Sequence, residues 1–306
     1  MLTTFSDHQD YTWLIDITLK MSPVQFRSRK QYWERFYRQF SDYLFAKGYY
    51  DNYVSNIFKI IRTFFRYLHQ QYGWLEYQFL PHRWIRSEQV AIVVISPDRL
   101  RFLLHDETFY KRLTPGQVFI RDLMITGCFT ALRASDLLNL RKQQLVSEGS
   151  STWLEVSSKK THQQTRILLP EALLKIFKKY PAKGKRIFPS ISNVHFNKQI
   201  KIIGELACWT EPVICQRNKK GIPVIVKNSR TTDHRFRFCD MITSHTLRRS
   251  AITVLLMMGM PEQLVRQVSG HRPGSREFHR YVCLSQQWQD KESSSAFEKL
   301  MRKDEK

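Results

Sequence analysis

From Trp33 to Leu68 large apolar residues return at every third or fourth position, a period that fits helices and not strands. One stripe is Trp33, Phe36, Phe40, Tyr43 and Leu44; the next is Ile57, Ile61, Phe64, Phe65 and Leu68. Ser22 can cap a helix over 22–47, Pro23 suits its first position and Gly48 ends it. The second helix spans 51–71. Basic residues crowd the other faces: Arg27, Arg29, Lys30, Arg35 and Arg38 on the first helix, Lys59, Arg62 and Arg66 on the second. Such a pair reads either as a bundle with a solvated basic face or as part of a helical clamp for DNA. The charge of the whole chain favours the clamp. It is +22 over 306 residues. Self-repulsion on that scale costs stability, so it points to a polyanionic partner, nucleic acid first and an anionic membrane surface second.

Residues 74–95 lose the helical period and hold Pro81. They place a linker at 81–94, between a helical domain over 1–80 and a larger domain over 95–306. Ser96 and Pro97 open a helix that buries Leu100, Leu103 and Leu104. A helix over 117–126 carries Phe119, Leu123 and Met124, and another starts near Ser135 and buries Leu137, Leu138 and Leu140. The period then changes to that of strands at 152–156 and 164–169, with Lys159, Lys160 and Thr161 in or near the turn. Helices follow at 171–179 and 193–207. A second hairpin pairs 212–216 with 222–226 across Asn218-Lys219-Lys220-Gly221. A helix over 246–258 buries Leu247, Ala251, Leu255 and Met258, and one over 261–268 is closed by Gly270. Ala296, Phe297, Leu300 and Met301 form an apolar stripe on a charged tail. The fold class is mainly α with small β-hairpins, an α+β chain.

No apolar run is long enough for a membrane span. Met1 to Asp10 is polar and acidic, unlike a signal peptide. Five cysteines without a Cys-x-x-Cys suggest neither a disulfide framework nor a zinc site. The expectation is a cytoplasmic protein, nucleoid-associated when bound to DNA, with no cofactor and no metal.

Chemistry gathers in a few segments. Arg133 lies at a predicted helix start, where backbone N–H groups favour an anion. Arg248 lies in the first turn of its helix, and His245 precedes it by three, so both can face one site. Guanidinium forks suit non-bridging phosphate oxygens better than lysine does. Taken singly, Arg133 reads as a surface ion pair with Asp136, His245 as a structural hydrogen bonder, His271 as part of a helix cap and Tyr281 as one tyrosine among thirteen. The information is in their order.

That order resembles the tyrosine recombinase (phage integrase) family over roughly residues 22–290. The likeness is sharpest in Thr130-Ala131-Leu132-Arg133-Ala134-Ser135-Asp136, in Ser244-His245-Thr246-Leu247-Arg248-Arg249-Ser250, and from Ser269-Gly270-His271 to Tyr281. Ala131 stands where glycine is common, and the gap from His271 to Tyr281 is one residue longer than usual. The hairpin at 211–226 resembles an insertion of Bacteroidetes-type integrases. The resemblance implies a SAM-like helical core-binding domain followed by a catalytic domain. It implies Arg133, Arg248 and His271 on the scissile phosphate, His245 assisting the proton at the nucleophile, Tyr281 as nucleophile and Lys160 (Lys159 as fallback) as general acid. It further implies double-stranded DNA as partner, a 3′-phosphotyrosine intermediate, a synaptic homo-tetramer, and a C-terminal tail around Phe297 and Leu300 exchanged in trans. The function expected is integration or excision of a mobile element or prophage. A chromosome-dimer resolvase, a type IB topoisomerase, and a DNA-binding protein that has lost catalysis are the alternatives.

Overall fold

A computed structural model describes residues 21–80, 88, 90, 92–157, 164–180, 184–228 and 234–301. Lys159, Lys160 and Thr161 lie outside the described residues, as do the side chains of Ala296, Phe297, Leu300 and Met301. The chain forms two compact units. One comprises the described residues within Met1–Ala91 and Ile214–His234, the other those within Ile92–Val213 and Arg235–Lys306.

In the first unit, α1 (Pro23–Ala46) starts from a capping box of Ser22 and Gln25 and buries Trp33, Phe36, Phe40, Tyr43 and Leu44. Helix α2 (Asp51–Tyr72) ends on Gly73 at φ 72, whose N–H reaches the His69 carbonyl. Its buried face is Val54, Phe58, Ile61 and Phe65, while Phe64, expected inside, is 56% exposed. Phe64 and Phe65 both fit a helical period. Ring contacts decide between them, because Phe58 meets Phe40 at 5.8 Å and Phe65 meets Trp33 at 5.1 Å. A 3-10 turn over Leu75–Phe79 brings Phe79 and Leu80 into the same cluster.

The hairpin inserted from the second half of the sequence packs with these helices. Its strands are Gln216–Lys219 and Ile222–Ile225, paired Lys219 to Ile222. Residues 212–216 therefore do not form the first strand; Pro212–Val213 pairs instead with Phe236–Arg237. The tight turn at Lys220 (φ 55) and Gly221 (φ 82) sets the register, since two positive φ angles match the strand twist. The Asp51 carboxylate, 5% exposed, accepts the N–H of Lys220 at 2.8 Å and of Gly221 at 2.9 Å. Lys220 Nζ adds an ion pair to Asp42 at 2.7 Å. Asp51→Ala would strand both amides, and a loss of about 2–3 kcal/mol is expected. The check is a lower urea midpoint with an unchanged slope, together with faster hydrogen exchange at the Lys220 and Gly221 amides.

The second unit is built around α5 (Pro115–Thr130), which follows α3 (Pro97–His105) and an unanticipated α4 (Glu107–Arg112). Thr114 and Gln117 form its capping box, and Leu123, Met124 and Ile125 are fully buried. A one-turn helix α6 (Ala134–Leu137) leads to an antiparallel sheet, β1 (Leu145–Glu148), β2 (Ser151–Ser157) and β3 (Gln164–Leu168), in that order. The expected hairpin thus has a third strand. Helices α7 (Glu171–Lys178) and α8 (Asn193–Leu206) follow, then the single turn α9 (Phe238–Met241), α10 (Ser244–Met257), α11 (Glu262–Ser269) and α12 (Arg276–Met301). Helix α10 packs on α5 and α12. A Cβ on Gly127 would stand 2.9 Å from Leu247 Cδ1, so a glycine lets α5 and α10 approach. Helix α10 buries Leu247, Ala251, Ile252 and Leu256; Met258, expected inside, lies past its end and is 56% exposed.

Candidate active site

Three chain segments of the second unit meet through one buried guanidinium. Arg248, 5% exposed, donates from Nη1 to the Ala131 carbonyl and from Nη2 to the Ser269 carbonyl, each at 2.6 Å. Ala131 closes α5 two residues before Arg133; Ser269 closes α11 two residues before His271. One side chain therefore ties the Arg133 turn and the His271 turn to α10. Ala131 sits at φ 52, in the left-handed region where glycine is the unstrained choice, and this accounts for the residue usual at that place in the resemblance.

Gly270 caps α11 at φ 63 and lets the chain turn into His271. The His271 ring then has a defined tautomer. Ser269 Oγ donates its proton to the Val265 carbonyl at 2.7 Å, so it accepts from His271 Nδ1–H at 2.8 Å. His271 Nε2 is left as the open ring nitrogen. Tyr281, on the second turn of α12, stands edge-on to this ring at 6.0 Å between centroids. Tyr281 is 2% exposed and shares a cluster with Ala131, Ala251, Ile252, Leu256, Val265, Phe278 and Val282.

The cationic groups perturb one another. Burial first, then Arg133, lowers the Arg248 guanidinium to about 10, with Tyr281 and Asp136 opposing. Burial, then Arg248, Arg133 and His245, takes His271 down to about 4. His245 is exposed on one side, yet its pKa is also lowered, by desolvation first and then by Arg249 and Arg248, with Glu277 opposing and Arg133 adding. Arg133, His245, Arg248 and His271 thus lie within electrostatic reach of one another, and Tyr281 within reach of Arg248. The contribution of Ser269 to the His271 tautomer was not read from the sequence, although Ser269 lies in the segment that carries the resemblance. Among the described residues no group of three His, Cys, Asp or Glu side chains is placed to hold a metal ion.

The His271 shift sets a pH dependence. Its folded pKa lies below the ordinary value of about 6.5, so the unfolded chain binds a proton that the folded one refuses. The stability involved is present above about pH 6.5 and is lost as pH falls through that value toward 4. After discounting for solvent screening it is worth about 2 kcal/mol. Melting curves from pH 7 to 4 are expected to show this part of the loss in the wild type and not in His271→Asn, whose amide can still donate to Ser269.

The sequence pattern of the phage integrase family matches residues 115–287, more than half of the chain. The chain belongs to the phage integrase family. This is a family of tyrosine-type site-specific recombinases, and all five residues that the structure gathers fall inside the matched region. The fold agrees. The Tn1549 transposon integrase in complex with transposon right end DNA is 13% identical, over 92% of this chain and 85% of that one, with a TM-score of 0.56. A lambda integrase dimer bound to a COC′ core site is 12% identical, over 92% and 77%, with a TM-score of 0.55. XerH site-specific recombinase bound to palindromic difH substrate is 18% identical with a TM-score of 0.46; 66% of this chain matches, and the chain spans about half of that protein, 52%. No curated protein sequence matches the chain. Among the described residues of this integrase-family chain, no helix is long and apolar enough to cross a membrane.

Proposed function

We propose that this integrase-family chain cuts and rejoins double-stranded DNA through a covalent bond to Tyr281, and that it integrates or excises a mobile element or prophage. The observation that carries the reading is the meeting of Tyr281 and His271 with Arg248, whose two hydrogen bonds hold the Arg133 turn and the His271 turn. In the first step Tyr281 Oη attacks the scissile phosphorus. The bond to the 5′ oxygen breaks, leaving a 3′-phosphotyrosyl link and a 5′-hydroxyl. Arg133 and Arg248 neutralise the non-bridging oxygens in the transition state. A phenol ordinarily ionises at about pH 10, so its proton needs an acceptor. His245 assists that transfer, and His271, neutral with Nε2 open, can take the proton and then donate it to a phosphate oxygen. Lys160, or Lys159 as fallback, implied by the resemblance, protonates the departing 5′ oxygen. The 5′-hydroxyl of a partner strand then attacks the phosphotyrosyl and releases Tyr281. The bond energy is kept, so the step consumes no ATP.

In this reading the helical N-terminal domain, 1–80, holds the DNA and the 81–94 linker joins it to the catalytic domain, 95–306. Four chains assemble on two duplexes, with the tail of each docking on a neighbour. The net charge of +22 supports a polyanionic partner. The test uses nicked duplexes drawn from the DNA flanking the protein's own reading frame, where short inverted repeats mark candidate sites. Covalent protein–DNA complex on one of them is the expected result. Binding without any covalent product on the whole set would leave a DNA-binding protein that has lost catalysis. Strand exchange between two tagged duplexes separates recombinase from topoisomerase, and a product confined to chromosome-terminus sites would favour the dimer resolvase.

A further inference from the structure

We propose that Arg249 is a further phosphate-binding residue of this site, taking a backbone phosphate of the bound strand one helical turn from His245. The proposal rests on the DNA-cleavage reading and extends it to a residue outside the six that the resemblance implies.

Arg249 follows His245 by four positions on α10, so the two side chains share a face of the helix. It is half-buried, its Nε is shut off from solvent without a hydrogen-bond partner, and among the described residues no carboxylate pairs with it. Its neighbours differ. Each Nη group of Arg248 already donates one hydrogen bond to a backbone carbonyl. Arg266 is paired with Glu262 at 2.7 Å and Arg280 with Glu277 at 3.6 Å. A half-buried guanidinium left unpaired is costly, and an arriving anion relieves the cost. The planar fork suits a phosphate, and the helix face it occupies also carries His245.

The charged groups around His245 are Arg248 and Arg249 on α10, Arg133 at the start of α6, Glu277 on α12 and the His271 ring. Burial lowers the His245 pKa most, and among the charged groups Arg249 lowers it most, which favours the neutral imidazole. A neutral imidazole is what a proton acceptor at the nucleophile requires.

The test uses the full-length protein and the nicked duplex that traps the wild type. Arg249→Ala is expected to lower the log–log salt slope of binding by about 0.9, the share of one phosphate contact. At saturating DNA it should slow trapping by about 10–100-fold, the equivalent of one charge-assisted hydrogen bond. Its acidic pH limb should move upward, since His245 protonates more readily without the adjacent cation. Arg249→Lys should keep the slope and the limb and recover only part of the rate. An unchanged slope in Arg249→Ala overturns the proposal whatever the rate does; if that variant does not fold, Arg249→Gln is read in the same way. The slope needs only binding, so it judges Arg249 even if the wild type traps no DNA and the cleavage reading fails.

Discussion

Tyr281→Phe is expected to fold, to bind DNA and to leave no covalent complex. The phenyl ring stays inside the cluster that buries Tyr281, so folding should change by less than about 1 kcal/mol. Only the hydroxyl is lost, and no second tyrosine belongs to that cluster. Trapping on a nicked duplex is expected to fall by more than about 1000-fold, because removing a nucleophile abolishes the step and does not merely weaken binding. The affinity for the same duplex should stay within about twofold of wild type, as the cations proposed to hold phosphate are untouched. Denaturing gels with labelled DNA give the first result and filter binding the second. Retained trapping would remove Tyr281 from the mechanism and send the search to another hydroxyl.

Arg248→Ala carries the largest stability cost of any substitution in the site. It leaves the Ala131 and Ser269 carbonyls buried and without their donor, and a loss of about 3–5 kcal/mol is expected. Those carbonyls lie beside Arg133 and His271, so both turns loosen together. Trapping should fall by about 100–1000-fold even at temperatures where the variant is folded. Arg248→Lys can satisfy one carbonyl and keeps a charge, so its stability loss should be roughly half that of alanine. Urea unfolding and single-turnover trapping measure the two effects separately. A fully stable Arg248→Ala would mean that the two turns are held by other contacts.

Much of this site was open to reading because it is carried by short ordered segments. His245 and Arg248 share a helix, Gly270 announces a cap before His271, and each can be recognised within a few residues of chain. The choice between Phe64 and Phe65 was not open, since both satisfy the helical period and only the rings of α1 decide it. The seat of the 216–225 hairpin was hidden for the same reason. Asp51 and Lys220 are far apart in sequence, and no local period records that one carboxylate waits for two distant amides. Ser269 was visible as a letter but not as the group that fixes a tautomer, which depends on where the Val265 carbonyl lies. The strand Leu145–Glu148 was missed because four residues with two exposed side chains give too short an alternation.

The covered phenol has a bearing on fidelity. With 2% of its surface open, Tyr281 would have to leave apolar packing to meet a phosphodiester in the proposed reaction. Uncovering an aromatic ring of this kind costs about 1.5–3 kcal/mol, so in the proposed reaction an uncovered form would be a minority of roughly one in ten to one in a hundred. A chance encounter with unrelated DNA would then mostly meet the covered form. In the proposed reaction only a duplex that stays bound long enough, or that itself favours the uncovered form, would be cut.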